Sequence, residues 1–238
     1  KIAEAEFKLS TILSTQLCTL TGLPLSYSAR GTRDERGAHG LIKPIRYPPP
    51  LADFQQVVKE KLTGYLREDA GRALVVMPTG SGKTRTAIDS ILHWIEDEGT
   101  SPYSLLWIAD RDELCDQAVA TFEQLAPSII SDDVEFWRYW RGHHAEVRDS
   151  PKGIIVPGIT ITTVQQLRSR LANHEPAAQA LVSNADVIIV DEAHRNLDWV
   201  EDISRDLELN NQSTRLIGLT ATPFRSLVSE TGRLSTLF

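Results

Sequence analysis

Cysteine is nearly missing from this chain. Only Cys18 and Cys115 occur among 238 residues, and they stand in no metal-ligand or redox spacing, which tells against a disulfide scaffold or a zinc site. Long hydrophobic runs are also missing. None approaches the ~20 residues that a membrane helix needs, and no basic start leads into an apolar stretch of the signal-peptide kind. A cytoplasmic protein with no membrane partner is expected. Positive charge is in deficit, with 25 Lys and Arg against 32 Asp and Glu and a formal net charge of -7. A surface coated in positive charge is excluded, although a local basic groove can coexist with an acidic remainder. There is no fixed-period repeat and no extended low-complexity segment, which removes solenoids from consideration.

What is present is a large apolar fraction, 41%, enough to bury a real core. Residues 1–50 read as a leader or accessory segment. It ends in a stretch where Arg30, Arg33, Arg36, Lys43 and Arg46 alternate with glycines before Pro48-Pro49-Pro50, a linker or extended arm. From 51 to 238 the pattern is regular. Phe54, Val57, Val58, Leu62 and Leu66 recur at helical spacing. Short apolar runs at 73–77, 104–109, 134–137, 158–162, 186–190 and 215–219 read as strands. Helical patterns fall at 84–94, 111–125 and 164–171. Strands alternating with helices predict an α/β fold, a three-layer sandwich about a mainly parallel central sheet. Residues 138–153, with His143 and His144, read as a polar loop. Phe136, Trp137, Tyr139 and Trp140 interleave with Arg138 and Arg141, a pattern that suits either base stacking or a sheet-edge core.

The sharpest signal is Met77-Pro-Thr-Gly-Ser-Gly-Lys-Thr84, where a strand ends and a helix begins. Thr79, Gly80, Ser81 and Gly82 can curl the backbone so that successive N–H groups point inward, beside the positive end of a helix. Lys83 can reach β- and γ-phosphates, and the Thr84 hydroxyl can sit on Mg²⁺. The general phosphate-loop pattern asks for glycine where Met77 stands. A second signal lies at Asp191-Glu-Ala-His194, just past the apolar run 187–190. A carboxylate beyond a buried strand can reach a ligand at the carboxyl edge of a parallel sheet. Asp191 is expected to hold Mg²⁺, Glu192 to activate the attacking water, and His194 to bond a neighbouring strand end. Lys83, Asp191 and Glu192 are thus the catalytic candidates for an ATP-dependent reaction.

In this order the motifs resemble the first RecA-like domain of a superfamily 2 helicase or translocase, over residues 51–224. The turn at 78–84 resembles the family's motif I, in which the first glycine is usually replaced. Residues 191–194 resemble motif II, the DEAH box, and Thr220-Ala-Thr222 resembles motif III, which implies a coupling role for His194, Thr220 and Thr222. Gln55 looks like the family's adenine-contacting glutamine, a surface glutamine being the alternative. Ala109-Asp-Arg111 resembles motif Ia, and Thr160-Ile-Thr-Thr163 a later backbone-binding motif. That implies phosphate contacts by Arg111, Thr162 and Thr163; solvated helix-start and capping roles are the alternatives. Asp-Glu-Ala-His-Arg195 and Gly218-Leu-Thr-Ala-Thr-Pro-Phe-Arg225 look most like the branch containing restriction-enzyme motor subunits and related repair or phage-defence helicases. The resemblance implies ATP and Mg²⁺ as cofactors and DNA rather than RNA as track. It also implies further subunits of a restriction, repair or defence complex and a second RecA-like domain of the same parent protein, for which no strand series remains after residue 224. A nucleotide-gated clamp or an interaction module is the non-enzymatic alternative.

Overall fold

A computed structural model of the chain describes residues 39–42, 50–68, 71–98, 103–151, 153–195, 197–210 and 213–221. The leader 1–38, the basic positions Lys43 and Arg46, and the positions Thr222 to Arg225 lie outside the described residues. Seven strands form the main sheet: β1 (His39–Ile42), β2 (Gly71–Val76), β3 (Ser104–Ala109), β4 (Val134–Arg138), β7 (Gly158–Thr163), β8 (Val187–Val190) and β9 (Arg215–Thr220). Their order is β1-β4-β7-β3-β8-β9-β2. Only β1 runs antiparallel, with Ile42 opposite Val134; the other six are parallel. The three-layer α/β architecture expected from the sequence is present.

Each strand of the interior splits its side chains between two cores, as a period of two demands. Leu105, Trp107, Ile159, Ile161, Val187, Ile189, Ile217 and Leu219 face one side. There they meet α1 (Asp53–Leu66), α2 (Lys83–Glu98) and α3 (Asp112–Ile129). Leu106, Ile108, Ile188, Val190 and Leu216 face the other side, against α4 (Val164–Ala172), α5 (Pro176–Asn184) and α6 (Leu197–Asn210). Because both faces are covered, the strands read as unbroken apolar runs rather than as alternating ones.

Four features depart from the sequence reading. The strand β1 lies within the stretch read as linker and pairs with β4. A two-stranded hairpin, β5 (Arg148–Ser150) with β6 (Gly153–Ile155), occupies part of the segment read as loop. The helices α5 and α6 were not foreseen. The face of α1 is also rotated from the one its apolar residues suggest. Leu62 and Leu66 are buried, but Phe54 and Val57 are 53% and 51% exposed, and Gln55 and Thr63 turn inward in their place. The aromatic-arginine run resolves to structure. Trp137, Tyr139 and Trp140 are buried, and Arg138 stacks 4.5 Å over Phe136 while pairing with Glu123 at 2.7 Å.

A buried ion pair ties α1 to α2. The Asp89 carboxylate lies 2.7 Å from Lys59 Nζ and 3.2 Å from His93 Nδ1. Burial raises Asp89, but the bonds from His93 and Lys59 outweigh it and hold the group below its ordinary range. A carboxylate with a depressed folded-state pKa adds stability above the ordinary carboxylate range, and that stability is lost as pH falls through the depressed value. Asp89→Asn is therefore expected to cost about 2–4 kcal/mol at neutral pH, since it leaves Lys59 facing an uncharged partner. In urea melts the deficit should shrink on acidification. An equal deficit at neutral pH and at pH 3 would show that the pair is not its source.

Candidate functional site

Since six strands point the same way, their carboxyl ends share one edge, where ligands of such sheets bind. At this edge β2 delivers the turn 77–82, β9 delivers Thr220 and Ala221, β8 delivers Asp191 and Glu192, and β3 delivers Asp110 and Arg111. The ladder continues one residue past two of these strands. Met77 N–H donates to the Thr220 carbonyl at 3.0 Å, and Asp191 N–H donates to the Ile108 carbonyl at 2.8 Å. The roots of the turn and of the acidic end are thereby fixed to the sheet.

The turn itself is built by two glycines. Gly80 and Gly82 adopt φ of 77° and 82°, a region that side chains disfavour. Between them Ser81 donates from both its N–H (3.1 Å) and its hydroxyl (2.6 Å) to the Pro78 carbonyl. Thr79 and Gly80 are exposed. Met77, at the place where the general pattern has glycine, sends its side chain into the core beneath the turn. A Cβ on Gly82 would lie 2.3 Å from Gln55 Nε2. Gln55 is buried there: Nε2 donates to the Ser81 carbonyl at 2.8 Å, and Oε1 accepts from Ala52 N–H at 2.9 Å. Its amide retains one N–H and one lone pair. Gln55 therefore props the turn and is not the surface glutamine that the sequence left open.

Lys83 opens α2 and is buried, with Nζ 2.8 Å from Glu192 Oε1 and 3.8 Å from Asp191 Oδ1. The lysine and both carboxylates expected from the sequence thus meet in one cluster. Burial pushes Asp191 up to about 6, against the opposing pull of Lys83, with Glu192 adding to the rise. A carboxylate so confined gains from any cation beside it. Thr84 follows Lys83 in the first turn of α2 and is half-buried. One hydroxyl and one carboxylate, with phosphate oxygens and waters to complete the shell, suit a hard divalent ion such as Mg²⁺. Glu192 sits at φ 51°, in the left-handed region, which is a strained position for a side-chain-bearing residue. Its Oε2 is 3.4 Å from His194 Nδ1, and the same ring nitrogen is 2.9 Å from Thr220 Oγ1. His194 therefore bonds a neighbouring strand end, and it joins the acidic end to the end of β9.

The nucleic-acid candidates divide. Arg111 is exposed at the start of α3 and lines a cleft of about 470 Å³ with Thr79, Glu192, His194 and Ala221. Thr162 and Thr163 are buried. The Thr162 hydroxyl donates to the Tyr139 carbonyl at 2.7 Å, and Thr163 Oγ1 caps α4 by accepting from Gln166 N–H at 3.2 Å. Neither hydroxyl is presented to a ligand; the capping alternative describes what Thr163 does here. Arg195, which the sequence reading used only to place the branch, lines the same cleft as Arg111. Its only sequence signal was its place directly after the acidic tetrad.

A family described as "Type III restriction enzyme, res subunit" matches residues 49–225. The endonuclease subunit of the type I restriction enzyme EcoKI from Escherichia coli (strain K12) is 34% identical over 145 residues, which cover 55% of this chain and 11% of that protein. The SWI2/SNF2 ATPase core of Sulfolobus solfataricus, solved in complex with dsDNA, superposes over 83% of this chain and 37% of its own, with a TM-score of 0.56 and 18% identity. The Hef helicase domain of Pyrococcus furiosus does so over 79% and 36%, with a TM-score of 0.53 and 21% identity. At those identities the likeness speaks for the fold. The chain spans a small part of each of these proteins. With the lysine turn and the acidic strand end both inside the matched span, the chain belongs to the type III restriction enzyme res subunit family and carries the first RecA-like domain of a superfamily 2 helicase of the restriction-motor-like branch.

Proposed function

We propose that this helicase-type ATPase domain powers a motor that hydrolyses ATP to move along DNA. The observation that carries the reading is the shared sheet edge: Glu192, held against Lys83 in a cluster with Asp191, lines the same cleft as Arg111. In the proposed assignment the N–H groups of Gly80 and Gly82 cradle the phosphates, Ser81 joins them by exchanging its N–H bond to the Pro78 carbonyl for one to phosphate, and Thr79 closes the rim. Lys83 takes up charge developing on the γ-phosphoryl group. Gln55 uses its remaining N–H and lone pair on adenine. Thr84 and Asp191 hold Mg²⁺, which when bound neutralises charge on the triphosphate. Glu192 orients the attacking water and accepts its proton. His194 and Thr220 carry the state of that site to β9. Arg111 contacts a backbone phosphate, which positions a strand without reading its sequence.

The motor is completed by a second RecA-like domain, which supplies transition-state arginines and the relative movement that is its output. A purely structural clamp would have no use for a lysine and a glutamate held 2.8 Å apart at a phosphate turn. The deciding experiment is ATP turnover of the full-length protein alone and with single-stranded DNA, duplex DNA or RNA. At least one DNA form is expected to raise turnover about tenfold or more. Stimulation by RNA alone would overturn the choice of track, and stimulation by none would overturn the motor.

A further inference from the structure

Arg195 has a position that none of the assigned roles uses. Its backbone N–H donates to the Glu192 carbonyl at 2.9 Å, closing the short helical turn Ala193–Arg195 that follows the strained residue. Its side chain reaches the other way. Nη1 lies 3.2 Å from Asp110 Oδ2, at the end of β3, and Arg111 Nε lies 3.8 Å from the same oxygen. Two arginines thus converge on one carboxylate. One belongs to the candidate phosphate contact and the other to the turn that carries the candidate base. Both line the cleft beside the phosphate turn.

We propose that Asp110 and Arg195 form the mechanical link through which an occupied track governs Glu192, an inference that rests on the motor reading above. Without polynucleotide the Asp110 carboxylate is shared between Arg111 and Arg195. A backbone phosphate arriving at Arg111 can be met by the guanidinium fork through two hydrogen bonds, whereas Asp110 lies 3.8 Å from Arg111 Nε, beyond hydrogen-bond reach. Arg111 leaves, and the Asp110–Arg195 pair loses its competitor. The firmer pair pins the end of the turn at 192–195. Because the Arg195 N–H grips the Glu192 carbonyl, the left-handed backbone at Glu192 is pinned with it, and the carboxylate is steadied for the water. Arg195 is a positioning residue here. It touches neither nucleotide nor track, and it acts through Glu192.

The test uses the full-length protein with Arg195→Ala, Asp110→Asn and the double variant. Three quantities are read: ATP turnover at saturating DNA, turnover without DNA, and the DNA concentration giving half-maximal stimulation. Couplings between sites commonly span about 5–150-fold, so the stimulation ratio should fall at least about fivefold in Arg195→Ala. The half-maximal DNA concentration should stay within about twofold, which separates lost coupling from lost grip. Asp110→Asn should lower the ratio similarly, and the double variant should be no worse than the worse single, because both break one link. Normal stimulation in Arg195→Ala overturns the link and leaves the motor standing. A tenfold rise in the half-maximal concentration with full stimulation at saturation also overturns it, by making Arg195 a phosphate contact. Losses that multiply in the double variant overturn the pairing. An unsubstituted protein that DNA does not stimulate overturns the motor reading, and the link with it.

Discussion

Glu192→Gln is expected to lower ATP turnover by about 10²- to 10⁴-fold, the usual contribution of a positioned general base, while Mg-ATP binds at least as tightly as before. The first half of the expectation follows from chemistry. An amide of the same shape can still orient a water but cannot take its proton. The second half follows from geometry particular to this site. Glu192 Oε1 lies 2.8 Å from Lys83 Nζ, so in the nucleotide-free protein the carboxylate occupies the ammonium that the phosphates need. That competing contact is charge-assisted and therefore stronger than its amide replacement. Weakening it releases the lysine, so affinity should hold or rise severalfold even as turnover collapses. Calorimetric titration with Mg-ATP beside a steady-state turnover assay reads both. Turnover near that of the unsubstituted protein would remove Glu192 from the role of base. Lost affinity would mean instead that Glu192 supports the site and does not compete within it.

The parts of this fold that were legible in the sequence are those whose signal is local. The run 104–109 is buried at every position and could be read as a strand without reference to anything else. The glycines at 80 and 82 announce their own backbone geometry, and a lysine just after them has few other uses. The parts that were missed depend on partners far along the chain. The strand at 39–42 exists because β4 offers it an edge, and nothing in His-Gly-Leu-Ile advertises that pairing. In α1 the apolar residues Phe54 and Val57 pointed to a face that the fold does not bury, because Gln55 is drawn under the phosphate turn and sets the helix rotation. In α5, the stretch Pro-Ala-Ala-Gln-Ala-Leu-Val-Ser-Asn has too little polar contrast for a 3.6-residue period to show.

The site follows the same division. Each motif could be found alone, but their distances could not. That Lys83 meets Glu192 and Asp191 at all is set by sheet order, since only β9 stands between β2 and β8. That Thr162 looks inward and Arg111 outward is set by which strand ends lie beside Tyr139 and which beside the open cleft. Residue types that contact phosphates in the family resemblance are also ordinary capping residues, and only packing tells the two apart.

Lys83→Met carries the other large effect. Methionine retains the apolar length of the lysine stem in its buried channel and removes only the ammonium, so the packing of α2 against the sheet should persist. Removing one partner of a buried, hydrogen-bonded charge pair costs about 2–5 kcal/mol, and the partner here is the triphosphate as well as Glu192. Mg-ATP affinity should therefore fall by about 30-fold to several thousand-fold, since each 1.4 kcal/mol is a factor of ten. The nucleotide-free variant faces its own cost. Asp191 and Glu192 are left as neighbouring carboxylates without the cation that moderates them, and Lys83 is the main group pulling Asp191 down against its burial. Adding Glu192→Gln to Lys83→Met removes one of those two charges, so the double variant should unfold at a higher temperature than Lys83→Met alone. Affinity should stay lost in both, because neither carries an ammonium for the phosphates. If Lys83→Met melted like the unsubstituted protein and bound Mg-ATP as tightly, the lysine turn and the acidic strand end would not be acting as a single site.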